Sequence, residues 1–429
     1  MKQTPEIDQD REDLTPQDRE VFSPKPTMDS LACPYCSSSN FTRRGFRQKT
    51  HERVQLYLCN QCLKTFTPHT TASGKHYPLD CIFEGISLYN LGYSLDEACQ
   101  KLKAATDLTI STVSLSRWVH EFENLCRFSR MRAYATRRYP PEEAVISATL
   151  AHRQLYNFKF HRAKSELIIE ENYAHRQFDA LHDFLLNVPA ECPHQFFQEG
   201  LRASEAPLTF SKAQMIVRGK QNFANALATL VLQGVNIRKE RHQALEDFML
   251  YNDSVTVACE VPVYLTRDDL LHLRTQLGFQ IYLKNKKGSA AEIDRSSESI
   301  SLPKADPPAG GEADIADITK LPKLITGHID IVQIRNGMIH ILDYKPEAAK
   351  QQPIDQLTIY AMALSRLTGL RLYCFKCAWF DEKDYFEFYP LHVLHKPKKM
   401  NRRRKIQTQE RTYEINKNAS KIETTKPNL

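Results

Sequence analysis

The sequence predicts a multidomain protein of α+β and α/β character: a small metal-held ribbon, a helical module, and a larger mixed sheet flanked by helices. Three observations predict this. Cys33-Pro-Tyr-Cys36 and Cys59-Asn-Gln-Cys62 form two CxxC pairs. Residues 77–126 carry apolar side chains at helical spacing, broken by turn signals. Residues 327–345 hold two Ile- and Val-rich runs joined by Asn336-Gly337, with Asp330, Asp343 and Lys345 set among them.

A chain of 429 residues, 41% of them hydrophobic, is long enough for two or more domains with buried cores. No apolar run approaches the ~18–20 residues that span a bilayer, so no membrane association is expected. The opening residues lack an apolar signal core, which leads us to expect a cytoplasmic protein, nucleoid-associated if prokaryotic. The formal charge is +7, and the run from Lys396 to Lys405 alone holds seven basic residues. The basicity is therefore local, which fits either a polyanion partner or a solvated tail.

Residues 1–29 are polar, acidic and without period, and read as disordered. Over 30–70, the two CxxC pairs are separated by 22 residues. Each pair can place two thiolates on one ion, so Cys33, Cys36, Cys59 and Cys62 together close a tetrahedral structural Zn²⁺ site, a zinc ribbon. So small a segment has too little core of its own, and the metal supplies the missing stability. A redox CxxC accounts for one pair but not for two.

Residues 75–126 read as a helix-turn-helix unit. Ile82, Ile86, Leu88 and Leu91 share a helical face, Gly92 stops that helix, and Ser94 caps the next. A short turn leads to a last helix from Thr112, with Val113, Trp118 and Val119 expected inward. Ser111, Thr112, Ser114 and Arg117 at its start can reach DNA bases or phosphates. The plainer reading is an ordinary three-helix packing unit.

Residues 127–221 read as a helical connecting region. Its aromatic residues interleaved with Lys, Arg and His suit either nucleic-acid contact or a helix with one packed face. Residues 222–250 read as an amphipathic helix that Gly234 breaks or kinks, and 255–265 as a strand with Glu260 inside it. A helix and a short strand follow over 267–284. Residues 285–320 are rich in Ser, Pro, Gly and acid and read as a flexible insertion. The 327–345 hairpin then leads to a helix from Pro353 to Leu367, on which Gln356 and Tyr360 share a face. A closing hairpin covers 372–389, and the basic tail 396–429 reads as disordered.

The charges of the hairpin need an explanation. Carboxylates in apolar strands are costly unless something pairs with them, and a divalent metal with a lysine is one such partner. Asp330 and Asp343 can offer carboxylates from adjacent strands to Mg²⁺ or Mn²⁺, and the backbone carbonyl of Tyr344 a further hard oxygen. Lys345 lies two residues from Asp343, so both point to one face. There it can orient an attacking water or neutralise developing charge. A plain salt bridge at a strand end is the alternative.

These residues resemble the PD-(D/E)XK nuclease superfamily, specifically its RecB-type exonuclease branch. The matching stretches are GHID, LDYKP and QLTIY, with RHQALEDFM and CEVPVYL upstream. The resemblance covers roughly residues 222–390, within a nuclease domain expected over 222–395, and implies a restriction-endonuclease-like mixed-sheet core. It implies that Asp330 and Asp343 are metal ligands, Lys345 is catalytic, His242 is an auxiliary metal ligand, and Glu260 helps bind metal or substrate. Gln356 and Tyr360 would line the DNA-facing side. The insertion places Glu260 unusually far from GHID. Some members of the branch carry an iron–sulfur cluster. Here no third Cys follows Cys374 and Cys377, and no cluster is predicted. Residues 31–122 resemble the N-terminal DNA-binding region of insertion-sequence transposases. The expectation is a Mg²⁺-dependent DNA nuclease tied to a mobile element or DNA processing. The alternative is a non-catalytic DNA-binding regulator or transposition accessory protein with a nuclease-like scaffold.

Overall fold

A computed structural model describes residues 32–48, 53–67, 75–210, 217–220, 222–235, 238–283, 320–394, 405–407 and 412–414. The disordered segment predicted for 1–29, and nearly all of the insertion at 285–320, lie outside the described residues. The chain falls into two compact units, Met1–Glu84 with Thr229–Leu245, and Gly85–Ala228 with Glu246–Leu429.

The first unit contains a three-stranded antiparallel sheet of β1 (Phe41–Gln48), β2 (Arg53–Cys59) and β3 (Thr65–Phe66). The core of this small sheet is little more than Phe41, Tyr57 and Phe66, whose ring centroids lie 5.3–5.7 Å apart, together with Cys33, Cys59 and Cys62. Three rings cannot offset the conformational entropy of so many residues, which leaves a role for a metal.

Helix α1 (Leu79–Leu91) runs from the first unit into the second and ends at Gly92, whose φ of +125° only glycine adopts freely. Ser94 opens α2 (Leu95–Thr106) with a reciprocal capping box to Glu97, as the sequence predicts. Asp107 stops it in a left-handed conformation, and Ser111 caps α3 (Thr112–Glu121). Gly85 of α1 allows close packing: a Cβ there would lie 2.9 Å from Leu102 of α2 and 3.0 Å from Leu115 of α3. Leu115 and Trp118 are buried. Val113, predicted to face inward, is instead 67% exposed, because the 3.6-residue period already gives the inner face to Leu115 and Trp118.

The segment predicted as a helical connector is helical over much of its length but also supplies strands to a sheet. β4 (Val145–His152) and β5 (Gln154–His161) form a hairpin, and β5 pairs with a central strand. Phe158 and Phe160 are buried at a spacing of two, the period of a strand. Helices α4 (Arg162–Glu171), α5 (Asp179–Glu191) and α6 (His194–Glu199) follow, then the short strands β6 (Leu201–Arg202), β7 (Leu208–Phe210) and β8 (Arg218–Lys220). The 222–250 stretch forms two helices, α7 (Phe223–Val231) and α8 (Arg241–Asn252), interrupted around Gly234.

β9 (Thr256–Thr266) leads to α9 (Arg267–Thr275) and β10 (Ile281–Leu283). β11 (Leu324–Arg335) and β12 (Met338–Tyr344) are the predicted hairpin, turning on Asn336 (φ 53°) and Gly337 (φ 71°). Helix α10 (Ile354–Thr368) crosses to β13 (Phe375–Phe380), which runs parallel to β12, and β14 (Tyr385–Phe388) closes the hairpin before α11 (Pro390–Leu394). The result is a nine-stranded mixed sheet in the order β4-β5-β9-β11-β12-β13-β14-β8, with β6 alongside β11. Helix α10 buries Leu357, Tyr360, Ala361 and Leu364 and packs against β9, β12 and β13. In the basic tail, where the sequence predicts disorder, Lys405–Gln407 and Thr412–Glu414 form an antiparallel backbone pair; both runs alternate polar and apolar residues. Among the described residues no helix is long and apolar enough to cross a membrane.

Candidate functional site

Three central strands bring three carboxylates into one row. On β11, Ile329 pairs with Val261 and Ile331 with Cys259, so Glu260 of β9 falls opposite Asp330. Ile331 also pairs with Leu342 of β12, so Asp330 falls opposite Asp343. The row thus runs Glu260, Asp330, Asp343 across β9, β11 and β12. The long gap between Glu260 and the GHID strand does not keep them apart. Glu260 holds φ at +52°, a left-handed conformation rare for a non-glycine residue inside a strand, and the β9–β11 ladder skips its position.

A fourth carboxylate comes from α8. Glu246 is 4% exposed, its Oε1 has no hydrogen-bond partner, and one of its carboxylate oxygens lies within 4.8 Å of one from Asp330. Glu246 is not among the site residues predicted from the sequence. The available signal is its place one helical turn after His242, in a run where Leu245, Phe248 and Met249 already supply the buried face. His242 lies on the same face of α8 as Glu246. Next to Glu246, Asp247 takes a 2.6 Å ion pair from Lys159 of β5.

These acids raise one another's proton affinity. Burial and then the neighbouring Asp330 push Glu260 up to about 8. Burial, followed by Glu260 and Asp330, drives Glu246 well above the usual carboxylate range. Asp343 is also raised, by burial and then by Asp330, with Lys345 opposing. Lys345 Nζ stands 2.8 Å from Asp343 Oδ1. Burial works against the Lys345 ammonium, but Asp343 and Asp330 outweigh it and the pKa rises. Tyr344 lies between Asp343 and Lys345 at the end of β12, held there by a Lys345 N–H bond to the Phe380 carbonyl (2.9 Å).

Four neighbouring acids, Glu246 and Asp343 buried and Glu260 and Asp330 half-buried, are an arrangement that a divalent cation relieves. Hard oxygen donors of this kind suit Mg²⁺ or Mn²⁺, and the unpartnered Glu246 Oε1 fits such an ion. Gln356 and Tyr360 share a face of α10, and Gln356 Nε2 donates to the Tyr360 hydroxyl at 2.8 Å. The Tyr360 ring is buried against Gly327 of GHID, where a Cβ would lie 2.3 Å from Tyr360 Cε1. The ring is thus a packing element under β11 rather than an open surface.

The other predicted residues lie in two separate places. Cys33, Cys36, Cys59 and Cys62 gather with all Sγ atoms within 4.8 Å of one another, an arrangement compatible with a tetrathiolate zinc site. Backbone N–H groups, that of Cys62 first, lower the Cys59 thiol to about 6, favouring thiolate. On α3, Ser111 Oγ accepts from the Ser114 N–H at 3.2 Å and lies 3.0 Å from Ser114 Oγ, so its hydroxyl is occupied in capping. Thr112 and Ser114 are half-buried, and Arg117 is exposed on the outer face with Ser116 and His120.

In comparisons with known proteins the chain matches no family model, no curated protein and no solved structure.

Proposed function

We propose that this chain is a metal-dependent DNA nuclease that hydrolyses phosphodiester bonds, with an N-terminal DNA-binding module. The observation that carries the reading is the row Glu260–Asp330–Asp343, with Glu246 beside it and Lys345 at 2.8 Å from Asp343. Glu246, Asp330 and Asp343 would hold Mg²⁺ or Mn²⁺, with Glu260 and the Tyr344 carbonyl as further donors. When bound, such an ion polarises a phosphate and lowers the pKa of its water. Lys345, paired with Asp343, neutralises charge that develops at phosphorus. The exposed side of α3, with Arg117, contacts DNA, and zinc in the cysteine tetrad holds the ribbon. The resemblances noted above favour a role in a mobile element or in DNA processing.

The test is incubation with linear and circular duplex DNA, with Mg²⁺ and with EDTA. The reading requires Mg²⁺-dependent loss of at least the linear form. Circular DNA that survives would indicate exonucleolytic action. DNA that is retarded in a gel but left uncut in both Mg²⁺ and Mn²⁺ would favour a non-catalytic regulator instead.

A further inference from the structure

A second group of ligand-type side chains lies beside the acid row and plays no part in the function proposed above. His152 ends β4. Cys192 closes α5, Pro193 follows, and His194 opens α6. Each of the three offers a ligand atom, and these atoms all lie within 4.8 Å of one another. His152 Nε2 is 2.9 Å from His194 Nδ1 and 3.8 Å from Cys192 Sγ. His152 is buried, Cys192 half-buried and His194 exposed, so the cluster opens to solvent on one side.

We propose that His152, Cys192 and His194 bind a zinc ion through Nε2, Sγ and Nδ1, with the fourth position left to water. Two imidazoles and one thiolate are a donor set that zinc favours over Mg²⁺, and three protein ligands leave an open site. The surroundings of His152 fit a ligand. Its ring is clamped by Phe197, stacked at 4.0 Å between centroids and 10° between planes. Its other nitrogen, Nδ1, lies 2.8 Å from His328 Nε2. With Nε2 on the metal, Nδ1 carries the proton and donates it to His328, the outer hydrogen bond that ligating histidines commonly make. The Cys192-Pro193-His194 corner places thiol and imidazole two residues apart on a stiff turn.

The site is linked to the acid row. His328 precedes Asp330 by two residues on β11, so both project to one face. Tyr156 stacks on His328 at 3.5 Å and 10°. Zinc on His152 fixes the His152 tautomer, and through it the tautomer of His328. The zinc site does not depend on the nuclease reading, since its ligands are separate from the carboxylates.

The competing account is a metal-free chain of hydrogen-bonded imidazoles with an adjacent thiol. To separate the two, the full chain is loaded with Zn²⁺ in the presence of excess Mg²⁺, then equilibrated with a weak chelator. Bound zinc per chain is counted for the wild type and for His194→Ala, Cys192→Ala and Glu246→Gln. His194 is exposed, so its variant leaves the core untouched, and thermal unfolding without zinc checks this. The expected result is a loss of about one zinc equivalent in both His194→Ala and Cys192→Ala, and none in Glu246→Gln. In the Co²⁺-loaded protein, Cys192→Ala should also lose part of the thiolate-to-cobalt absorption. The proposal is overturned if either site variant keeps the wild-type zinc count, or if Glu246→Gln loses the same equivalent.

Discussion

Lys345 Nζ lies 2.8 Å from Asp343 Oδ1, and the Asp343 side chain is almost fully enclosed. Asp343 near the end of β12 and Lys345 just beyond it thus place a cation against a carboxylate that Asp330 faces from β11. For the proposed nuclease, Asp343→Asn and Lys345→Ala should each reduce Mg²⁺-dependent cleavage by about 10²–10³-fold, the scale of losing one charge-stabilising group. Gel retardation of DNA should persist in both. If both variants cut at the parental rate, the assignment of the site is wrong.

Gly327 and Tyr360 make a second prediction, about stability. A methyl group on Gly327 would overlap the Tyr360 ring, 2.3 Å from Cε1. Gly327→Ala should cost about 1–3 kcal/mol, the usual range for overpacking. Combined with Tyr360→Ala, which opens the space, it should cost clearly less than the sum of the two single effects. Urea unfolding of the four proteins measures this coupling, and strictly additive losses would refute it.

The left-handed backbone at Glu260 yields a third. Glu260→Gln removes the charge but keeps the strain, whereas Glu260→Gly removes both. The glycine variant should therefore be the more stable of the two by about 1 kcal/mol, within the range for one strained residue. Equal unfolding midpoints would show that the φ of +52° costs nothing.

Lys164 offers a test by pH. It is fully buried, 3.6 Å from Asp253, and it donates to the Leu250 carbonyl. Burial lowers it from 10.5 to about 8, with Asp253 opposing. Between those values the unfolded chain holds the proton and the folded chain does not. The contribution of Lys164 to stability therefore rises with pH across that window, by at most about 1.4 kcal/mol per pH unit, and is flat below it. Lys164→Met should be destabilised, because Asp253 is left buried with one less partner, and should lack this slope. Parallel pH profiles for the two proteins above pH 8 would contradict the assignment.

The 327–345 hairpin is legible in the sequence because its signals are local: alternating apolar residues, an Asn-Gly turn, and Asp343 and Lys345 two apart. The Ser94 cap and the Gly92 stop are legible for the same reason. The β4–β5 hairpin is harder to read. Tyr156-Asn-Phe-Lys-Phe-His mixes aromatic and basic residues in a way that suits a helix face as well as a strand, and only pairing with β9 decides it. Glu246 is hidden differently. One carboxylate on a half-apolar helix looks like a solvated position, and nothing local reveals that α8 turns it inward toward Asp330. Val113 fails in the opposite direction: an apolar side chain next to Leu115 and Trp118 suggests the core, while helical phase puts it in solvent.

The carboxylate row also bears on when the molecule becomes complete during synthesis. Glu246 and Glu260 leave the ribosome well before Asp330 and Asp343, and β9 must wait for β11 before the row can form. Such non-local pairing is slow, because loop closure precedes any gain from contacts. Until β12 has been made and docked, the growing chain has its cysteine tetrad, α2 and α3, but only part of its acidic centre.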